Sequence, residues 1–587
     1  MQQLQTFENL TISSNAALTV EIDKAEPEKE VYEYTFLFSL PDAECLPDDA
    51  RAILLWTLPC VDVQYMWHPN CRTRRVLDGN WRLNLSSALT ASAPVAILFN
   101  SADQNRYTFA LDEVKKVTGV NLGIRDSDNT VTAEISLPLN QFAGQSSYSL
   151  RVRADFRPIP YYQALEDTRL WWEERLQLHP MPVPETAGIP MYSSWYNFHQ
   201  AISDRVLEEE CALAAGLGMK AIIVDDGWQT SDTHCGYGYT GDWEACREKI
   251  ADMRAHVARV HQTGLKYILW YSVPYVGYFS KNWERFQNKL LCKVERSSCG
   301  VLDPRYPEVR DFLIQTYANA VRGFDLDGLK LDFLDRFFLE RRRKKAPGMD
   351  YACVQDATER LLEDISAALQ KIKPDILIEF RQQYIGPAMR QYGNIFRVGD
   401  CASDLVSNRV GTIDLRLLSG NTACHCDMLT WSCDETVEDA ALQILHSIFG
   451  VLQISQMLSQ LPAAHRRMLA FWIHFSVQYK KILHGAQLIP YEPHFLYPVV
   501  KACDGSTAII GVYAGKKIVA IDAALRKIIL INATKEARLF LDFETDCKAK
   551  AVIYDTCGER VSAKEAAFAK GLQSISVPRS GLVELQF

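Results

Sequence analysis

A central (β/α)8 barrel between two β-sandwiches is the fold this sequence predicts, and three changes of pattern predict it. Residues 1 to about 170 carry short apolar runs with period-2 alternation and turn residues between them. From about 188 to 485 apolar runs alternate with helical stretches, the pattern of a parallel barrel. After about 490 the β-like runs return with tight turns. A chain of 587 residues is also too long for one core, so several domains are expected.

In the first region the runs Val-Tyr-Glu-Tyr-Thr-Phe-Leu-Phe (31–38), Val-Ala-Ile-Leu-Phe (95–99) and Tyr-Ser-Leu-Arg-Val-Arg (148–153) suit an antiparallel sandwich. Residues 161–172 look helical and begin a linker that reaches about 187. Barrel strands are expected at 190–195, 221–224, 267–271, 328–333, 376–380 and 395–398, with 424–429 and 451–454 as the seventh and eighth. Between them a helix over 204–217 is stopped by Gly218, another around 250–263 ends at Gly264, and Pro307 opens a third that ends near Gly323. The short stretch between strands five and six breaks the regularity. In the last region Asp504-Gly505 sits between 497–500 and 508–513 as a hairpin turn would. Runs at 528–531 and 551–554 complete a small sandwich over 490–587.

A formal net charge of −9 argues against a nucleic-acid partner, which needs a basic face. The local exception, Arg341-Arg342-Arg343-Lys344-Lys345, precedes Pro347-Gly348 and suits a solvated loop. Contact with an acidic substrate or a neighbouring subunit is the alternative, and a homo-oligomer stays open. The start of the chain has no basic region followed by an apolar stretch, and no run of about 18 apolar residues occurs, so neither a secretory signal nor a membrane partner is expected. Sixteen cysteines then suit the reduced thiols of a cytoplasmic protein. The densest group, Cys401, Cys424, Cys426 and Cys433 with His425, lacks the two-residue spacing of a zinc knuckle, and no metal is expected there.

Chemistry points to the strand ends. Asp332 closes the buried run Gly-Leu-Lys-Leu-Asp-Phe (328–333), and Asp400 closes Asn-Ile-Phe-Arg-Val-Gly-Asp (394–400). A carboxylate stranded at the end of an apolar strand costs free energy unless something binds it. Two such carboxylates at the carboxyl ends of barrel strands can flank one sugar. The second strand ends in Asp225-Asp226-Gly227-Trp228, two acceptors for sugar hydroxyls followed by an indole suited to a sugar's apolar face. Lys330 alternates with Asp332 and shares its side of the strand, so pairing with Asp332 or a ligand is expected. Arg397 can hold a sugar diol or a carboxylate. Spacing alone does not choose between Asp400 and Asp404, but Asp400 directly terminates the apolar run. Asp327 and Asp335 suit surface or capping roles.

These motifs resemble the retaining α-galactosidases of glycoside hydrolase family 36 and their clan, in order, spacing and three-domain plan. Leu302-Asp303-Pro304, and Trp195 with Asn197, also fit. The resemblance implies that Asp332 is the nucleophile and Asp400 the acid/base, with Asp404 as fallback. It further implies that Asp225 and Asp226 bind the axial and primary hydroxyls of galactose, with Trp228, Trp195 and Lys330 as further sugar contacts. No metal or organic cofactor is implied. Two departures stand out. Glu-Phe-Arg-Gln-Gln-Tyr-Ile-Gly (379–386) replaces the family's Cys and Gly-rich segment, so Arg381 and Gln382 are placed to meet a larger or charged substituent at sugar position 2. Asp400 and Asp404 are also spaced by four steps where the family has three.

The expected activity is that of an exo-acting α-galactosidase on α-galactosyl oligosaccharides or glycoconjugates. An α-N-acetylgalactosaminidase or another α-hexosidase is the nearest alternative, and a non-catalytic carbohydrate-binding protein the more distant one. Double displacement requires Asp332 ionised and Asp400 protonated before the first step.

Overall fold

The computed structural model describes residues 1–42, 46–77, 85–339 and 345–587. Most of the basic run therefore lies outside the described residues; Lys345, at its end, donates to the Asp350 carbonyl at 3.0 Å.

Two six-stranded sheets face each other in the N-terminal region. Along Arg51–Pro59 buried and outward side chains alternate, as a half-buried strand requires. From this strand Trp56 meets Tyr34, Phe36 and Phe109 of the facing sheet at ring separations of 5.3–6.1 Å. The predicted runs become Val31–Ser39, Val95–Phe99 and Ser147–Asp155, all in one sheet. The helix that follows, Tyr161–Leu176, buries Tyr161, Trp171 and Trp172.

Eight strands build the barrel: Met191–Ser193, Ala221–Val224, Lys266–Ser272, Gly328–Asp332, Leu377–Arg381, Ile395–Arg397, Ala423–His425 and Gln453–Ile454. All are parallel, and the sheet closes where Met191 pairs with Gln453 and His425 with Val451. Strands such as Ala221–Val224 are buried at every residue, because one face fills the barrel and helices cover the other. The helices Asp204–Gly216, Met253–Gln262 and Pro307–Phe324 lie where the caps and breakers predicted. Between strands five and six there is only the 3-10 turn Pro387–Gln391, which accounts for the irregular spacing.

One addition was not foreseen. Tyr275–Gly277, Leu290–Val294 and Cys299–Leu302 form a three-stranded sheet beyond barrel strand three. It is pinned to the loop after strand two: the Gly277 N–H donates to the Thr240 carbonyl at 2.8 Å. A Cβ on Gly277 would lie 2.1 Å from the Gly238 carbonyl oxygen, so only glycine permits this approach.

The C-terminal region holds a seven-stranded and a three-stranded sheet. Its hairpin joins Val499–Cys503 to Thr507–Val512, and the Asp504 carboxylate accepts from the Ser506 and Thr507 N–H groups at 2.9 and 2.8 Å. Among the described residues no helix is long and apolar enough to cross a membrane.

A buried charge ties the three regions together. Asp414, on the helix Leu405–Ser419, accepts from the Arg75 guanidinium at 2.7 and 2.9 Å, the Trp67 indole at 2.9 Å and the Tyr497 hydroxyl at 2.5 Å. Removing the carboxylate would leave Arg75 as an uncompensated buried cation. Asp414→Ala should therefore lower stability by about 3–5 kcal/mol, read from denaturant unfolding of parent and variant. A loss below about 1 kcal/mol would show that this node carries no such load.

Candidate active site

Asp332 is the last residue of barrel strand four and only 6% exposed. The chain leaves it through Phe333 in the left-handed region, with φ at 65°. For a bulky residue that conformation costs about 1–3 kcal/mol. It brings the Phe333 N–H onto Asp332 Oδ1 at 2.7 Å. The same oxygen accepts from Arg381 Nε at 2.7 Å and the Tyr384 hydroxyl at 2.9 Å, while Oδ2 accepts from the Trp270 indole at 3.1 Å. Burial opposes the charge, but Arg381 and Lys330, then the Trp270 hydrogen bond and Arg397, hold the carboxyl well below the usual carboxylate range.

Lys330 pairs with Asp225 Oδ2 at 2.5 Å, correcting the expected pairing with Asp332. The physical reason is that the second and fourth strands flank the third, so Asp225, just past the second, lies across from the ammonium. Burial alone would neutralise Lys330; Asp225, Glu379 and Asp332 keep it charged. Asp225 is anchored through its own N–H, which donates to Ser194 Oγ at 3.0 Å. Asp226 is equally buried but receives neutral donors, Gln200 Nε2 at 2.8 Å and Gln229 Nε2 at 2.7 Å. Burial therefore pushes its carboxyl up to about 6 against those two bonds, with Asp225 adding to the rise.

The turn between the paired acids and Trp228 depends on Gly227, whose φ is 115° and whose added Cβ would lie 2.5 Å from Gln200 Cα. That turn sends Trp228 inward. Fully buried, it donates to the Trp270 carbonyl at 2.9 Å and packs on Trp243, so the expected stacking of Trp228 on a sugar is corrected. The indole that reaches the carboxylate is Trp270, from strand three. Trp195, at the end of strand one, is half-buried and meets the His199 ring edge-on at 4.9 Å.

Strand six supplies Arg397, buried to 1% exposure, which divides its guanidinium among Asp400 at 2.9 Å, Asp427 at 2.5 Å and Glu379 at 3.4 Å. The Asp400 side chain is 56% exposed and faces solvent. Its carboxyl departs from the protonated acid expected before the first step. Although the side chain reaches solvent, the protein crowded around it partly desolvates and raises it, and Asp332 adds to the rise, but Arg397, Lys330 and Arg381 outweigh them and hold it below its ordinary value. Asp404 instead caps the helix Leu405–Ser419, accepting from Ser407 N at 3.0 Å and Ser407 Oγ at 2.6 Å. Asp327 is buried at the other end of strand four, accepting from Lys373 at 3.0 Å and the Tyr267 N–H at 2.9 Å, so its expected surface role is corrected to an internal ion pair.

Several members of the cluster escaped the sequence reading. Asp427 and Glu379 complete the shell of Arg397, and Asp427 also takes the Tyr196 hydroxyl at 2.9 Å. Asp427 obeys the same rule as Asp332, a charge just past an apolar strand, and was hidden because strand seven ends at His425 rather than at 429. Gln200 and Gln229 lie in loops without periodic signal. A cavity of about 800 Å³ opens at the opposite end of the barrel, against Ala423, Cys424 and Val451. Its carboxylates Glu166 and Glu185 are already paired with Arg169 and Lys480.

The raised carboxyl of Asp226 has a consequence for stability. A folded-state value above the unfolded one means that its contribution is full at low pH and is lost as pH rises from about 3.8 to about 6. Asp226→Asn should remove that loss, so the stability difference, variant minus parent, should grow across this window and level off above it. Unfolding midpoints at closely spaced pH values measure this, and a pH-independent difference would contradict it.

No family model matches the chain. Alpha-galactosidase 2 of Pediococcus pentosaceus is 25% identical over 204 residues, 34% of this chain and 28% of that protein. The match thus spans less than a third of that relative's length. Among solved structures, a variant of the family 36 α-galactosidase AgaA of Geobacillus stearothermophilus, in complex with 1-deoxygalactonojirimycin, aligns with a TM-score of 0.65 at 14% identity, covering 99% of this chain and 84% of that one. A second AgaA variant, in complex with stachyose, gives a TM-score of 0.64 over the same shares. Over nearly its whole length, the chain has the fold of the glycoside hydrolase family 36 α-galactosidases.

Proposed function

We propose that this protein is a retaining, exo-acting α-galactosidase that releases terminal α-galactosyl units by double displacement. The observation that carries the reading is a buried Asp332 at the barrel mouth, gripped by Arg381, Tyr384 and Trp270, with a solvent-facing Asp400 two strands away. Asp332 attacks the anomeric carbon while Asp400 protonates the leaving oxygen. Asp400 then takes a proton from the water that releases the sugar. Its charged resting state suits this second step; the first step draws on a protonated minority, because Arg397 opposes the proton.

Asp225 and Asp226 accept from the axial and primary hydroxyls of the galactose, with Trp195 at the rim. Stachyose bound to a solved relative supports an α-galactosyl oligosaccharide as the substrate class. Arg381 is engaged by Asp332 and the Gln382 carbonyl rather than free for a sugar substituent, which favours the plain galactoside over its 2-acetamido analogue. A panel of nitrophenyl α-glycosides discriminates the two. The fifteen described cysteines form no disulfide, which suits a reducing compartment, and the cytoplasm is the location proposed.

Asp332→Ala should fold normally and lose nearly all turnover, because the glycosyl ester can no longer form. Azide or formate should restore part of it and give the inverted product, since a small anion can occupy the vacated space. Near-normal activity of the variant on a nitrophenyl α-galactoside would contradict the assignment.

A further inference from the structure

The two oxygens of Asp332 are held unequally. Oδ1 accepts three hydrogen bonds, from Arg381 Nε at 2.7 Å, Tyr384 Oη at 2.9 Å and the Phe333 N–H at 2.7 Å. Oδ2 accepts one, from the Trp270 indole at 3.1 Å. Arg381 is itself fixed. Its guanidinium lies over the Phe333 ring at 5.1 Å and the Tyr384 ring at 5.8 Å, and its Nη1 donates to the Gln382 carbonyl at 3.0 Å. Tyr384 is fully buried.

We infer that Oδ2 is the attacking oxygen of Asp332, and that Arg381 and Tyr384 are positioning residues that grip Oδ1 throughout the reaction. This rests on Asp332 being the nucleophile. An oxygen with three donors has its lone pairs engaged, so the less engaged oxygen is the one with electron density to give. In the first step an Oδ2 lone pair forms the bond to the anomeric carbon, the glycosidic C–O bond breaks, and the leaving oxygen takes the proton of Asp400. Oδ1 becomes the ester carbonyl and keeps its donors. In the second step water attacks the anomeric carbon, its proton passes to Asp400, and the bond to Oδ2 breaks. The charge returning to the carboxylate is received by Arg381 and Tyr384 on Oδ1. The grip therefore serves departure of the sugar above all.

Arg381 also bears on the ionisation of Asp332, alongside the cations Lys330 and Arg397. Asp400, Asp335, Tyr237, Tyr275 and Tyr384 face the same carboxylate and stay in place when Arg381 is replaced.

The test compares Arg381→Ala, Arg381→Lys and Tyr384→Phe with the parent on a dinitrophenyl α-galactoside, by steady-state and rapid-mixing kinetics. Folding is checked by circular dichroism and unfolding midpoint. Loss of a hydrogen bond to a charged group predicts a roughly ten- to hundredfold fall in kcat for Arg381→Ala and Tyr384→Phe. Release should slow more than formation, so a burst of dinitrophenol should grow. The acidic limb of kcat/KM should move to higher pH in Arg381→Ala and return toward the parent's in Arg381→Lys. A rise in KM with kcat, burst and acidic limb unchanged would overturn the inference and make Arg381 a sugar contact. Trapping the parent with 5-fluoro-α-galactosyl fluoride, read by mass spectrometry of the digested protein, separates this from failure of the underlying reading: an adduct on Asp332 with an unmoved limb overturns only the grip, whereas an adduct on another carboxylate overturns both.

Discussion

At the end of a buried barrel strand, the carboxylate of Asp332 must stay ionised. Asp332 has almost no solvent to support its charge, and burial alone would protonate it. The fold answers with donors from three neighbouring elements: Trp270 from strand three, Phe333 from its own turn, and Arg381 with Tyr384 from strand five and the segment after it. Each donor needs its own support. The strained turn at Phe333, the stack of Phe333, Arg381 and Tyr384, and the anchoring of Trp228 under Trp270 are parts of one arrangement.

The same logic runs outward. Lys330 is tolerable inside the barrel because Asp225 faces it, and Arg397 because Asp427, Glu379 and Asp400 share it. Asp226 has only neutral amides, and its carboxyl rises accordingly. The four aspartates of the proposed site thus differ by what they touch, not by residue type. Asp332 is fixed as an anion, Asp225 is bound to a cation, Asp226 is poised near 6, and Asp400 is open to solvent. A barrel brings them together because strands two, four and six all present their carboxyl ends to one mouth.

Much of this was legible in the sequence where one physical rule applied without ambiguity. Apolar runs ending in charge identified Asp332, Asp400 and the pair Asp225 and Asp226, and strand periodicity put Lys330 on the side of Asp332. The rule failed where a local conformation decided the outcome. The string Asp-Asp-Gly-Trp does not reveal that Gly227 turns Trp228 into the core. Asp427 follows the same rule but lies past a strand that ends at His425 rather than at 429, and Asp404, four residues after Asp400, caps a helix. The sheet over 275–302 carried no usable signal, since its strands are short and interrupted by the helical turn Trp283–Phe286. Gln200 and Tyr384 reach the site from irregular segments, and only three-dimensional contacts reveal them.

On the proposed mechanism an oxygen of the buried Asp332 carboxylate becomes the ester oxygen of a glycosyl-enzyme. Incubating the protein with 5-fluoro-α-galactosyl fluoride, whose ring fluorine slows both steps and whose fluoride leaves readily, should accumulate that intermediate. Mass spectrometry of the digested protein should then show one fluorogalactosyl adduct on the peptide containing Asp332, absent after Asp332→Ala. An adduct on a different carboxylate, or turnover with no adduct and an inverted product, would contradict the account.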